Sequence, residues 1–279
     1  MSPMTKVEAF APAKINLALH VTGQRPDGYH LLDSLVVFAN FGDRLEAELA
    51  DDNSLRIVGP MAEGVPDDAR NLVLKAALRA GVTARFQLEK NLPAAAGIGG
   101  GSSDAAATLR ALTALSGKTY DTGLEALGAD VPACYFGRAC RMSGIGEVIE
   151  PWRGLPGLPA VLVNPGIDVG TAEVFQRLSD KNGAALPDEV PTLRSVEDVA
   201  GFLSAHTRND LEAPAIAYAP KIAEVLDQLA AQMGARFVRM SGSGATCFAL
   251  FASIEAAEAA ALLLMAQHRD WWVQPVWLA

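Results

Sequence analysis

A chain of 279 residues, half of them apolar and a fifth charged, can bury a sizeable core and suggests one or two globular domains. Its net charge of −9, with no cluster of lysine and arginine, excludes a nucleic-acid footprint, which needs a basic surface to displace counterions. Three cysteines (Cys134, Cys140, Cys247) form no CxxC pair and four histidines no HxxxH or HxH spacing, so neither a disulfide framework nor a zinc site is expected. The sequence holds no run of about 18 apolar residues that would cross a membrane. Its first segment, MSPMTKVEAFAPAK, lacks the apolar stretch of a signal peptide and carries Glu8 where a transit peptide avoids acid. A cytoplasmic protein is expected, with neither membrane nor nucleic acid as partner.

In Lys14–Thr22, Ile15, Leu17, Leu19 and Val21 alternate with Lys14, Asn16, Ala18 and His20. Period two predicts a half-buried strand, with Lys14 and Asn16 on one face, opposite the core. The turn formers of Gly23–Gly28 (GQRPDG) follow, and Tyr29–Phe38 returns as a second extended stretch. Leu45–Leu49 and Leu55–Val58 read as strands, Asn71–Ala80 as a helix and Thr83–Lys90 as a strand. Then come Pro93–Ser103 (PAAAGIGGGSS) and an Ala- and Leu-rich helix over Ser102–Leu115, with Ser102, Ser103 and Asp104 as capping residues.

The proline- and glycine-rich Glu150–Pro159 (EPWRGLPGLP) is expected to be a linker between domains at 1–152 and 158–279. Beyond it the pattern predicts a strand at 160–164, helices near 171–179 and 213–232, and strands at 236–240 and 247–251. A helix at 254–267 and a strand near 271–278 complete it. The order β-α-α-β-β-α-β is an elaborated split βαβ, a ferredoxin-like sandwich, and the chain as a whole is α+β.

The strongest chemical signal is Pro93–Ser103. Gly97, Gly99, Gly100 and Gly101 give a backbone with no Cβ to hold a phosphate away. The free N–H groups and positive dipole end of the following helix favour an anion there. A merely flexible loop would not need Pro93 at one end and a Ser-Ser-Asp cap at the other. Ser116–Thr119 spells SGKT, but Leu112 stands where a P-loop has its first glycine and a helix precedes it, so it is no P-loop. Gly97-Ile-Gly99 likewise lacks a third glycine, Ser102 standing in its place. Three features stay open on their own residues. Asp130, just before Val131-Pro132, suits either a helix cap or a catalytic carboxylate. Lys14 suits a solvated strand, and Tyr29-His30 a packed aromatic beside a surface imidazole. Met240–Phe251 (MSGSGATCFALF) is a hairpin whose Gly242 and Gly244 would also let a backbone approach a ligand.

Five segments together carry a resemblance: PAKINLALHVTGQRPDGYH (Pro12–His30), LPAAAGIGGGSSDAA (Leu92–Ala106), LGADVPACYFG (Leu127–Gly137), NPGIDVGTAEVF (Asn164–Phe175) and SGSGATCFALF (Ser241–Phe251). Nearly end to end, the chain resembles the GHMP kinase superfamily. The glycine loop points to the superfamily alone. TGxRxDGYH points to its branch acting on a cytidine-diphosphate-linked methylerythritol.

The resemblance implies a two-domain GHMP kinase fold, ribosomal-protein-S5-like in its N-terminal half and ferredoxin-like in its C-terminal half. It implies ATP-dependent phosphorylation of the 2-hydroxyl of that substrate, in the non-mevalonate route to isoprenoid precursors. Asp130 would be the catalytic carboxylate, and Lys14 the cation that keeps it ionised and steadies the transferred phosphoryl group. The phosphates would fall to Pro93, Ala94, Ala95, Ala96, Gly97, Ile98, Gly99, Gly100, Gly101, Ser102 and Ser103, and the adenine to Asn71, Leu72 and Lys90. Asn16, Tyr29, His30, Thr171 and Phe175 would hold the substrate, with Tyr29 and Phe175 on the two faces of the cytosine. Magnesium is expected with ATP; no carboxylate cluster marks its ligands, which leaves a Ser102 or Ser103 hydroxyl.

The chain departs from the family in three places. Ser116–Gly128 is shorter than usual, Ala94–Ala96 replaces a Met- and Gly-bearing start, and Ile98 replaces a leucine. Rival expectations are a GHMP kinase acting on homoserine, mevalonate or a sugar, and a non-catalytic nucleotide sensor, against which Lys14 and Asp130 both weigh. The expected partner is a small cytidine-diphosphate substrate, and the expected state a monomer or weak homodimer.

Overall fold

The computed structural model describes residues 6–279; the first five residues of the segment read for targeting signals lie outside them. Two long strands, β1 (Lys6–Gln24) and β2 (His30–Leu49), are followed by β3 (Ser54–Val58), α1 (Leu72–Ala80), β4 (Ala84–Glu89) and α2 (Gly100–Ser116). After a 3-10 turn at Leu124–Ala126 come α3 (Val131–Phe136), β5 (Cys140–Gly144), β6 (Val148–Pro151), β7 (Leu158–Asn164) and α4 (Thr171–Gln176). The chain closes with α5 (Val196–His206), α6 (Glu212–Tyr218), α7 (Lys221–Ala230), β8 (Ala235–Met240), β9 (Cys247–Phe251), α8 (Ile254–Gln267) and β10 (Trp272–Leu278). Among the described residues no helix is long and apolar enough to cross a membrane.

The residues form two compact units that interleave along the chain, a different cut from the expected 1–152 and 158–279. The first comprises the chain up to Ala13, Phe41–Ala94 and Gly99–Gly137. In it, β4 runs antiparallel to β2 from Arg44 opposite Glu89 to Leu49 opposite Ala84, and β3 lies parallel to β4. The inward faces of these strands (Leu45, Ala47, Phe86, Leu88) pack on Val73 and Ala77 of α1 and Ala107, Ala111 and Leu112 of α2. Each such buried large side chain stabilises the fold by about 1.5–3 kcal/mol. A second cluster of Ala76, Ala105, Leu109, Leu124 and Val131 seats α3 on α1 and α2. At Gly42 a Cβ would lie 2.2 Å from the Ala11 carbonyl oxygen, so only glycine lets β1 and β2 approach so closely there.

The second unit comprises Lys14–Asn40, Ala95–Ile98 and Arg138–Ala279. Its strands run in the order β10-β7-β9-β8, all antiparallel, from Trp272 opposite Asn164 at one seam to Met240 opposite Cys247 at the other. Counted from β7, that order is fourth, first, third, second, as a ferredoxin-like sandwich requires. Its core lies under α6, α7 and α8 and includes Leu19, Val161, Val163, Ile222, Val225, Phe251 and Leu264.

Four expectations are corrected. The first strand is not half-buried: every residue from Ala11 to Val21 is buried, with Lys14 at 3% and Asn16 at 1% exposure. Alternation separates an apolar face from a polar one, but here the polar face is covered too, and hydrogen bonds replace water on it. The stretches expected at Tyr29–Phe38 and Leu45–Leu49 join in one continuous strand, β2, which begins at His30. Glu150–Pro159, expected to be a linker, begins inside β6 and ends inside β7, and β6 pairs with β5. The helix expected over 213–232 is two, α6 and α7, divided at Pro220, whose ring cannot continue α6.

Candidate active site

The glycine loop reaches α2 by backbone geometry, without a side-chain cap. Ala95, Gly97 and Gly99 have φ of 47°, 71° and 65°. Such alternation of hand at every second residue turns successive N–H groups toward one concave side, an anion-binding arrangement. Gly99 is the N-cap of α2 and makes no side-chain hydrogen bond, so the expected cap at Ser102, Ser103 or Asp104 does not form. Ser102 and Ser103 lie within the first turn and Asp104 just past it, because glycine at Gly99 already supplies the left-handed step into the helix.

Within the second unit three consecutive loop carbonyls are bound. The Ala96 oxygen accepts from the Thr246 N–H (3.1 Å) and the Ile98 oxygen from the Lys14 N–H (2.9 Å). The Gly97 oxygen accepts from the Ser241 hydroxyl at 3.0 Å. That hydroxyl in turn accepts from the Asn16 N–H at 3.1 Å. Asn209 fixes the turn behind it, donating to the carbonyls of Met240 (2.8 Å) and Gly242 (2.9 Å). A Cβ on Gly97 would stand 2.5 Å from the Ser241 carbonyl oxygen, which leaves no room for any other residue. The hairpin Met240–Phe251, open on sequence, is thus the backing of the loop.

In the first unit, Lys90 is not at the surface. Its ammonium is buried between Asp43 and Asp104, 2.8 Å from the latter, and Asp43 also accepts from the N–H groups of Asn91 (2.6 Å) and Leu92 (2.9 Å). The Lys90 main chain is engaged as well, with Val58 and Met61. Burial disfavours the Lys90 charge, but the two carboxylates outweigh it and raise the ammonium pKa. Burial pushes the Asp104 carboxyl up to about 7 against the pull of Lys90. The Lys90 side chain therefore lies beneath α2, with Nζ 3.6 Å from the Cβ position of Gly100. Leu72 lies 3.5 Å from the Cβ position of Gly101, while Asn71 is occupied as the cap of α1, accepting from the Val73 N–H at 2.9 Å.

Of the two serines considered for a metal, Ser103 is buried and donates its hydroxyl to the Pro12 carbonyl at 2.8 Å. Ser102 is half-buried, with Oγ 3.6 Å from the Cβ position of Gly128. The first turn of α2 thus abuts the turn that carries Asp130. Asp130 occupies the N-cap position of α3 but its side chain caps nothing, so a helix-capping role does not account for the carboxylate.

In the second unit, Lys14 is buried on β1, and its charge opposes the burial that pushes the neighbouring Cys140 thiol up to about 11. Asn16 donates to Ser34 at 2.7 Å while its Oδ1 is buried without a partner. His30 stacks on Phe175 of α4, centroids 4.5 Å apart, and its Nε2 is also buried without a partner. Burial, aided by the Lys181 charge, lowers the His30 pKa and keeps the ring neutral. Tyr29, expected on the other face of the cytosine, stands 58% exposed on the turn before β2. Thr171, at the start of α4, shares a 2.9 Å hydrogen bond with Ser243. A buried polar atom without a partner costs about 1–3 kcal/mol, so Asn16 Oδ1 and His30 Nε2 mark places where a polar ligand would be welcome.

Comparison with known proteins agrees with this anatomy. The family model described as GHMP kinases N terminal domain matches residues 69–138, and that described as GHMP kinases C terminal matches 190–264. The 4-diphosphocytidyl-2-C-methyl-D-erythritol kinase of Cereibacter sphaeroides is 55% identical, over 98% of this chain and 99% of its own. Its namesake from Dinoroseobacter shibae is 53% identical, over 99% of both chains. The crystal structure of a 4-(cytidine 5'-diphospho)-2C-methyl-D-erythritol kinase superposes with a TM-score of 0.79 at 35% identity, covering 98% of this chain and 99% of that one. With a backbone cradle at a helix N-terminus, both family models matched in order and full-length relatives above half identity, the chain belongs to the GHMP kinase family.

Proposed function

We propose that the protein transfers the γ-phosphoryl group of ATP to the 2-hydroxyl of 4-diphosphocytidyl-2-C-methyl-D-erythritol, in the non-mevalonate route to isoprenoid precursors. The observation that carries phosphoryl transfer is the cradle, whose carbonyls are bound away and whose alternating turns feed an uncapped helix end. The acceptor is inferred from identity above one half to kinases of that name over almost their whole length.

In this reading the loop Pro93–Ser103 holds the phosphates through its free main-chain N–H groups; Pro93 has none to give, and Ser103 donates its own to the Gly99 carbonyl. Asp130 takes the proton of the attacking hydroxyl, and Lys14 contributes positive charge toward the transferred group. Asn71 and Leu72 lie near the base of the nucleotide. Lys90 shapes the cradle from below. Phe175, backed by His30, offers a flat face to the cytosine, Tyr29 closes over it from the hairpin turn, and Asn16 and Thr171 supply polar contacts.

Among the described residues no cluster of His, Cys, Asp or Glu is built to hold a metal ion alone. Magnesium typically keeps its waters and binds through one or two protein groups plus phosphates. The Ser102 hydroxyl fits that role better than Ser103, whose hydroxyl is already donated. Bound with the nucleotide, the ion would neutralise charge on its phosphates.

The test is ADP release measured with cytidylylated methylerythritol, mevalonate, homoserine and galactose. Turnover confined to the first is expected. Faster turnover of any other would overturn the assignment of substrate, and release with none would favour a nucleotide sensor.

A further inference from the structure

α3 is only six residues long, too short to persist on helical hydrogen bonds alone. Its N-terminal end has no side-chain cap, since Asp130 makes none. Packing of Val131 against Ala105 and Leu109 holds one side of it. Arg110 reaches its C-terminal end. Arg110 of α2 donates from Nη1 to the Cys134 carbonyl at 2.9 Å and from Nη2 to the Phe10 carbonyl of β1, also at 2.9 Å. The Cys134 oxygen belongs to the last turn of α3, where carbonyls lack intrahelical partners and a cation meets the negative end of the helix.

Arg110 stands two turns after Ser103 on α2, and both reach main-chain carbonyls of β1, Ser103 at Pro12 and Arg110 at Phe10. The helix that starts at the cradle is therefore fastened to β1 at two levels. The second fastening also holds α3. Burial lowers the pKa of the Arg110 guanidinium, a cost that an apolar residue here would avoid. The charge is retained beside carbonyls that only a forked donor can engage in two directions at once.

We infer that Arg110 is a positioning residue for Asp130: its guanidinium straps α3 to α2 and β1, and so sets where the carboxylate stands relative to the start of α2. This rests on the catalytic reading of Asp130. Misplacing a reacting group by about an ångström costs as much as about 100-fold in rate.

Arg110→Met should therefore lower kcat by about 10–100-fold while KM for ATP and for the acceptor changes by no more than about twofold. Added methylguanidinium should restore part of kcat. Arg110→Lys, a single point donor, should fall between wild type and Arg110→Met. Phe86→Leu, which loosens the same unit's core without touching the strap, should leave kcat within about twofold. The inference fails if Arg110→Met keeps kcat, loses kcat and ATP affinity in parallel, or is not rescued by methylguanidinium. It fails equally if Phe86→Leu mimics it. Should Arg110→Met not fold, Arg110→Lys is judged by the same kcat-against-KM split. Asp130→Asn separates the two ideas: if that variant turns over, the catalytic reading of Asp130 is wrong whatever Arg110 does. If it is inactive while Arg110 variants keep kcat, the strap alone is wrong.

Discussion

His30 and Phe175 stack with ring centroids 4.5 Å apart and planes 20° from parallel, joining the start of β2 to α4. The His30 ring is neutral and its buried Nε2 has no partner, so the pair combines an apolar face with an unmet polar atom. Such a pairing suits a flat heteroaromatic base. Phe175→Ala should raise KM for the cytidine substrate by about tenfold or more, since a base–aromatic stack is worth about 1–3 kcal/mol. Tyr29→Ala should act in the same direction, and neither should change KM for ATP by much. Steady-state kinetics with each substrate varied would show it, and equal losses for both substrates would remove the cytosine role.

Asp130→Asn keeps the size of the side chain and removes its capacity to take a proton. General-base assistance is worth about 10²–10⁴-fold, so kcat should drop by that order. ATP affinity, measured by titration calorimetry, should be nearly unchanged because the cradle is built of main chain. Near-normal turnover would take Asp130 out of the chemistry.

Gly97 and Gly101 lie four residues apart yet should respond differently to alanine. At Gly97 the left-handed φ of 71° and the 2.5 Å approach to the Ser241 carbonyl both oppose a side chain. The conformational part alone costs about 1–2 kcal/mol. Gly97→Ala should lower the melting temperature and abolish ATP binding together. At Gly101, an exposed position in the first turn of α2, a Cβ meets only Leu72, at an ordinary 3.5 Å. Gly101→Ala should fold normally and weaken ATP alone, by crowding the mouth of the cradle. Unimpaired ATP binding in Gly101→Ala would place the phosphates elsewhere.

The contrast between what the residues announce and what they conceal follows from the range of the interactions. Pro93–Ser103 was legible because its chemistry is local: glycine spacing, backbone donors and a helix start occupy consecutive positions. The Lys90–Asp43–Asp104 cluster was not, because nothing near Lys90 in sequence distinguishes a lysine at a nucleotide from one buried beside two acids. α5 carries its own signals, with Ser195 accepting from the Asp198 N–H and Val196, Val199, Ala200 and Leu203 on one face, but they follow a long irregular stretch. The alternation in β1 was real and its conclusion wrong, since periodicity reports the polarity of a face and not what covers it.

Lys90→Met tests the support of the cradle. It leaves Asp43 and Asp104 buried without their shared cation, and breaking a buried pair in that way costs about 3–5 kcal/mol. A loss of unfolding free energy of that size, read from urea titrations, is expected, with part of it recovered when Asp104→Asn is added. No loss would mean that the buried ammonium contributes little to the stability of the unit.

His20 makes the acid side of the stability curve testable. The ring is buried, its Nδ1 donates to the Ala184 carbonyl and its Nε2 accepts from the Arg208 N–H, both at 3.0 Å, so the proton sits on Nδ1. A second proton would have to enter at Nε2 and break the bond to Arg208. Burial is the main reason its pKa is lowered; the Arg208 charge adds to it, and the bond to Ala184 opposes it. With the folded value below the unfolded one, the unfolded chain binds the extra proton first as pH falls. The stabilisation is then present above the ordinary imidazole value and is lost as pH falls through the depressed folded value, with a slope of up to about 1.4 kcal/mol per pH unit. Asp104 works with the opposite sign, because its folded pKa is raised, so the total slope alone decides nothing. The difference does. Urea midpoints at successive pH values between neutrality and mild acid should fall less steeply for His20→Gln than for wild type, and parallel curves would show that His20 does not carry the acid sensitivity.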